Sequence, residues 1–237
     1  MQKTSGIAGE TVAGRALDLV EDVKPLLRGW FHVVAAPVAL AVGVPLVALA
    51  PAGPARNAAV VFVGCTLLNF SVSAALHRGR WSPRTSWVMT RLDHASIFLL
   101  IAGSYTSIAL LLLEGRQQRI MIAVIWSGAV VAAWSRIIWN NAPRWGHVAV
   151  YGGLALLVAF FLKDIGAQAR PDVAVMLGTA VALYLAGGIV YALRRPNPLP
   201  GRLGFHEVFH GLTVLAFAAH YSAVAITVHS WPASGAL

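Results

Sequence analysis

Seven stretches of this chain are apolar over about the 20 residues that a helix needs to cross a hydrocarbon layer about 30 Å thick, and nothing else restricts its folding as severely. In lipid, every backbone N–H and C=O must find its partner within the protein, which leaves helices and closed barrels as the spanning structures. Runs this long without strict alternation point to helices. Bounded by charges or prolines, they are placed at Gly29 to Leu49, Ala58 to Leu76, Leu92 to Leu113, Ile120 to Trp139, His147 to Leu162, Val173 to Leu193 and Gly204 to His229. The expected fold class is all-α, a polytopic membrane protein with seven transmembrane helices. Composition agrees: 58% of the residues are hydrophobic and 11% charged, against about 45–50% apolar in a soluble domain. An ordinary cytosolic enzyme is excluded.

Three regions are expected: a cytoplasmic N-terminal segment, residues 1–28; the membrane domain, residues 29–231; and a short external tail, residues 232–237. Within the first, Val12, Ala16, Leu19, Val20, Val23 and Leu27 recur at helical spacing among acidic residues, the pattern of an amphipathic helix lying in the interface. Pro25 interrupts that pattern, and a partly disordered tail with accidental periodicity is the alternative. The first apolar run starts too late for a signal peptide and is expected to remain in the mature protein. Gly152-Gly153 and Gly187-Gly188 are read as places where helices approach closely.

The 18 Lys and Arg against 9 Asp and Glu invite a nucleic-acid reading, but the cations punctuate apolar runs instead of clustering on one face, so no nucleic-acid partner is expected. Their placement sets an orientation. Arg56, Arg116, Arg119, Lys163 and Arg170 fall on one side of the seven spans and the other thirteen on the side of the N-terminus, which predicts N-terminus inside and C-terminus outside. Cys65 is the single cysteine, which excludes an intrachain disulfide and any multi-cysteine metal site.

Ionisable groups within a bilayer are costly, so each asks for a partner. Those in question are Asp93, Glu207, His77, His94, His206, His210 and His220. With the second span running inward to end at His77, and the third and seventh starting inside just before Asp93 and His206, four of these groups, His77, Asp93, His206 and His210, fall at one depth near the cytoplasmic surface. His206 and His210 stand i, i+4 on one helix face, and both imidazoles can point at one atom. His77 can supply a third nitrogen. Three neutral imidazoles with an open fourth position form a zinc arrangement, in which bound water has its pKa lowered toward about 7. Asp93 is placed to take a proton from that water or orient it. Ser73, four residues before His77, shares its face. Histidines satisfied by interhelical hydrogen bonds remain an alternative; haem is disfavoured because His206 and His210 lie on one side of their helix. His220, about 21 Å along the axis from His206, cannot share the metal and is read as polar packing. His94 points away from Asp93 and is read as a supporting hydrogen-bonding group, while His32, His147 and His229 sit at span ends and need no special role.

The segment Ser73-Ala74-Ala75-Leu76-His77, then Arg91-Leu92-Asp93-His94-Ala95 running into Ile101-Ala102-Gly103-Ser104-Tyr105-Thr106, then His206-Glu207-Val208-Phe209-His210, resembles the hemolysin III branch of the progestin and adipoQ receptor family. The likeness covers nearly the whole membrane domain. It implies seven helices with an inside N-terminus, and kinship with a wider set of membrane proteins, alkaline ceramidases among them. In that set the shared Ser-x-x-x-His, Asp and His-x-x-x-His elements are associated with zinc-dependent amide hydrolysis of lipids. Carried over, the resemblance implies zinc ligands His77, His206 and His210, a water-holding Asp93 and Ser73 beside the metal. Two positions depart from the pattern: Ser107 stands where relatives often have proline, and Leu76 where bacterial members often have tyrosine.

The leading function is hydrolysis of a lipid amide or ester at the inner leaflet, contributing to membrane lipid homeostasis, with membrane lipids as partners. A sensor or receptor of membrane state with a structural zinc uses the same residues. A third reading takes His206-Glu207-Val208-Phe209-His210 as the H-E-x-x-H pattern of an intramembrane metalloprotease with Glu207 as general base; against it, Glu207 is expected to face the cytoplasmic interface, paired with Arg202 or Arg195. A retinal-type pump is excluded because no lysine lies between Gly204 and Leu237. A secreted pore-forming toxin is excluded by the composition. The Arg-over-Lys bias and high alanine content suggest a bacterial plasma membrane.

Overall fold

A computed structural model of the chain describes residues 25–138 and 144–231. The expected interfacial helix before Pro25 and the tail 232–237 lie outside the described residues. The elements are α1 (Trp30–Leu49), α2 (Pro54–Arg78), α3 (Pro83–Leu112), α4 (Gly115–Ile138), α5 (Arg144–Leu156), a 3-10 turn (Leu157–Phe161), α6 (Leu162–Gln168), α7 (Pro171–Leu193) and α8 (Phe205–His229). Among the described residues, seven helical stretches are long and apolar enough to cross a membrane, the fifth being Ala149–Gln168, which runs from α5 through the 3-10 turn into α6. The chain is an all-helical, multi-pass membrane protein.

Several helices begin earlier than hydropathy alone indicates, because polar first turns are set by capping and not by apolarity. Pro54, Pro83 and Pro171 each occupy the first turn of a helix, where the missing N–H costs nothing. At α3, the Ser82 hydroxyl also accepts the Thr85 N–H at 3.2 Å. Helix α3 is therefore 30 residues long, about 45 Å at 1.5 Å per residue, and overshoots the hydrocarbon at its start. Asp93, at the start of the third span as hydropathy places it, lies nearly three turns into the helix. The fifth span ends later than Leu162: Lys163 does not stop it, since a cation near a span end can reach the interface along its own stem.

Helix α3 forms the middle of the bundle, with 72% of its most apolar window buried against 11–39% for the other spans. It packs on α2, α4 and α8, while α8 packs along α7 and touches α1 and α2. Phe62, Phe70 and Phe98 are wholly buried in the interior. The outward faces carry Val34, Val38, Val131 and Phe160, all exposed; in water they would form large apolar patches, whereas lipid is their natural surround. Gly187 meets the expectation of close approach, since a Cβ there would stand 3.3 Å from the Phe209 ring of α8. Gly152 and Gly153 do not. No atom would meet a Cβ at either, and Gly152 lines a cavity, so the missing side chain leaves room where helix contact was expected.

Three devices bring the site-bearing ends together. The segment entering α1 is tied to the loop entering α8 by Leu26 N–H to Gly201 O and Leu27 N–H to Arg202 O, both 3.1 Å. Gly29 adopts φ +82°, and a Cβ there would stand 2.6 Å from the His77 Cβ, so only glycine lets the start of α1 lie this close to the end of α2. The Trp81 indole folds back to donate to the Ala75 carbonyl at 2.9 Å, satisfying an end group of α2 in the turn that carries His77.

Candidate metal centre

His77 lies in the last turn of α2, and His206 and His210 in the first two turns of α8. The i, i+4 spacing places the His206 and His210 rings 4.5 Å apart, and the His77 ring sits 4.8 Å from the first and 5.3 Å from the second. One nitrogen from each lies within 4.8 Å of the others. His206 Nε2 and His77 Nε2 are 3.2 Å apart. Tetrahedral zinc with Zn–N of about 2.0–2.1 Å separates its ligand nitrogens by about 3.3–3.4 Å, so that pair already has the required spacing. Closing the widest separation of 4.8 Å requires a movement of roughly 1.4 Å, within reach of side-chain rotation. His210 Nε2 is buried without a hydrogen-bond partner, a costly state for a ring nitrogen unless a cation or water engages it. The three histidines could hold one metal ion, and three imidazoles are a donor set that suits zinc.

Asp93 on α3 is 7% exposed, and Ser73, one turn before His77, is 1% exposed. The Ser73 hydroxyl lies beside the Asp93 carboxyl without a hydrogen bond of regular geometry. The backbone behind Asp93 is fixed: Ser96 Oγ donates to the Asp93 carbonyl at 2.7 Å and receives Asn69 Nδ2–H at 2.8 Å, which ties α2 to α3 at this level. Asp93, Ser73, His206 and His210 all border one cavity of about 330 Å³ that continues between α3, α7 and α8 past Leu100, Ile108 and Leu177 as far as His220.

The remaining polar residues take positions that the sequence indicates only in part. His220 is buried as expected, its Nε2 3.2 Å from Ser107 Oγ and its ring stacked on Phe62 at 4.9 Å. Ser107, which stands where relatives often have proline, sits in an unbroken α3 and donates to the Ser104 carbonyl at 2.7 Å. His94 borders the same cavity. Glu207 is paired neither with Arg202 nor with Arg195. It is fully buried and faces Arg28 Nε at 2.5 Å, while its second oxygen accepts the Gly204 N–H at 2.8 Å. The hydrogen-bonded link between residues 26–27 and 201–202 brings Arg28 there, ahead of the two nearer cations. With one oxygen facing Arg28 before α1 and the other bonded to the Gly204 N–H at the start of α8, Glu207 is not free to serve as the general base of an H-E-x-x-H protease.

His32 is the residue that the sequence reading passed over. It is 3% exposed, stacks on Phe70 at 4.8 Å, and holds its Nε2 3.2 Å from His210 Nδ1. The depth criterion that selected the other histidines also covers it, because the first span begins on the same side as the seventh.

The sequence profile described as Haemolysin-III related matches residues 21–221, which takes in seven of the eight helices whole and most of α8. Hemolysin-3 of Bacillus cereus is 28% identical over 137 residues, 58% of this chain. The Hemolysin-3 homolog of Bacillus subtilis (strain 168) is 24% identical over 162 residues, 68% of this chain and 73% of the relative. The chain matches 59% of the length of the Bacillus cereus protein, under two-thirds. The profile covers most of the chain, and its match falls on the spans that carry His77, Asp93, His206 and His210: this protein belongs to the haemolysin-III-related family.

Proposed function

We propose that this chain is a zinc-dependent hydrolase of a lipid amide or ester, acting at the inner leaflet of a bacterial plasma membrane and contributing to membrane lipid homeostasis. The reading includes an inside N-terminal segment (1–28), a membrane domain (29–231) and an external tail (232–237). The observation that carries it is the shared cavity: a largely apolar space of about 330 Å³ opens onto His206 and His210, two of the three imidazoles, with a buried carboxylate and a buried hydroxyl in its wall. That volume falls in the usual range for a ligand pocket, roughly 300–1,000 Å³. A metal that merely fastens helices together needs neither a cavity nor an adjacent acid.

His77, His206 and His210 would hold the zinc, which supplies Lewis-acid polarisation of a carbonyl and acidifies water. Asp93 takes the proton from the attacking water and returns it to the leaving nitrogen or oxygen. Ser73, one turn from His77, donates its hydroxyl to the carbonyl or orients the water. The apolar part of the wall receives the lipid chain and keeps bulk water from the polar groups, which strengthens their electrostatic action. Arg28 and Glu207 neutralise each other at the start of α8 and take no part in proton transfer.

The test is hydrolysis of a long-chain N-acyl lipid by the purified protein in micelles, with zinc content measured on the same samples. Wild type is expected to release free fatty acid. Asp93→Asn is expected to abolish release while retaining zinc, and Glu207→Gln to retain activity. Zinc-loaded protein that hydrolyses neither amide nor ester lipids returns the account to a membrane-state sensor; loss of activity in Glu207→Gln with full activity in Asp93→Asn revives the protease reading.

A further inference from the structure

We infer that His32, on a helix that gives no ligand, is a positioning residue that selects the metal-binding tautomer of His210. The inference rests on the reading of His77, His206 and His210 as a metal centre. An imidazole offers a metal one lone pair, and when neutral it carries its hydrogen on the other ring nitrogen. The His210 nitrogen that no protein group engages is Nε2, and the one that is engaged is Nδ1, 3.2 Å from His32 Nε2. For Nε2 to present a lone pair, Nδ1 must carry the hydrogen and donate it. His32 Nε2 then accepts, and the hydrogen of His32 sits on its own Nδ1. In the reverse arrangement His32 Nε2–H donates, His210 carries its hydrogen on Nε2, and the lone pair is lost to the metal. The contact therefore has two states, one that can ligate and one that cannot.

The surroundings hold His32 in place for this task. Its ring is stacked on Phe70 at 28° between planes and meets the His210 ring edge-on at 80°, so a His32 nitrogen lies in the direction of His210 Nδ1. It stands in the first turn of α1, just after Gly29, the residue whose left-handed backbone allows α1 to close on His77. His32 Nδ1 is itself buried and makes no hydrogen bond. An unsatisfied ring nitrogen in a membrane protein interior is costly, and a residue serving only to pack against Phe70 would be better as phenylalanine. A hydrogen bond from a ligating histidine to a second group is the usual way of fixing its orientation, and losing that group typically weakens metal affinity about 10–100-fold.

The experiment titrates metal-free full-length protein in detergent with Co2+, followed by visible absorption, then with Zn2+ in competition. His32→Phe keeps the ring stack and removes both nitrogens; His32→Gln offers an amide oxygen close to the position of the lost Nε2. His32→Phe is expected to weaken Co2+ and Zn2+ binding about 10–100-fold and to alter the Co2+ absorption bands. His32→Gln is expected to restore most of the affinity, and the metal-free proteins to melt alike. Should His32→Phe fail to accumulate, His32→Leu makes the same comparison. Wild-type affinity and bands in His32→Phe overturn the inference, as does equal weakening by Phe and Gln, which would mean packing alone. Wild-type protein that binds neither ion overturns the metal centre itself, and this inference with it.

Discussion

The Arg28–Glu207 pair joins the segment before α1 to the first turn of α8, and its energetic worth can be measured directly. Glu207 has no exposed side-chain surface, while Arg28 retains 22%. Removing one member of a buried pair costs about 3–5 kcal/mol, mostly because the other is stranded. Arg28→Met strands a carboxylate that keeps only the Gly204 N–H, so a loss near the lower bound, about 3 kcal/mol, is expected. Glu207→Gln is milder, about 1–2 kcal/mol, because the amide oxygen still accepts from Gly204 and the guanidinium can turn toward solvent. The double variant Arg28→Met/Glu207→Gln leaves no stranded charge and is expected to be more stable than Arg28→Met alone. Denaturation of the four proteins in one detergent gives the coupling energy, expected to exceed about 1 kcal/mol. Additive effects, or a cost below about 0.5 kcal/mol for Arg28→Met, would refute the reasoning that this pair holds the two segments together.

Two further substitutions address the site from opposite directions. Gly29→Ala is expected to cost at least about 1–2 kcal/mol from the left-handed backbone alone. It should also lower zinc content, since its Cβ would press on His77; denaturation and metal analysis on one preparation check both. Gly152→Leu places a side chain in open space at the cavity wall, so stability should hold or rise by up to about 1 kcal/mol. Zinc should be retained and hydrolysis of long-chain lipids should fall; unchanged turnover would show that the lipid chain does not pass there.

The spans were legible because hydrocarbon imposes a length and an apolarity that few sequences meet by accident. Their polar ends were less so: the turns of α3 before Leu92 are helical by virtue of Ser82 and Pro83, which hydropathy does not register. The convergence of His77, His206 and His210 followed from depth and from i, i+4 spacing, two quantities fixed by helix geometry. The partner of Glu207 did not follow, because Arg28 reaches it through hydrogen bonds between two loops, and loop paths leave no periodic trace. His32 was discounted by treating a span end as a place where histidine is cheap. That argument fails where the span end is buried beneath a neighbouring helix, as α1 is beside α8.

The central claim is that one cation gathers imidazoles from α2 and α8. Elemental analysis of purified wild-type protein beside His77→Ala and His210→Ala tests it most directly. Close to one zinc per chain in the wild type, lost from both variants, is the expected result. Wild-type protein free of bound metal, or zinc retained undiminished in either variant, would contradict it.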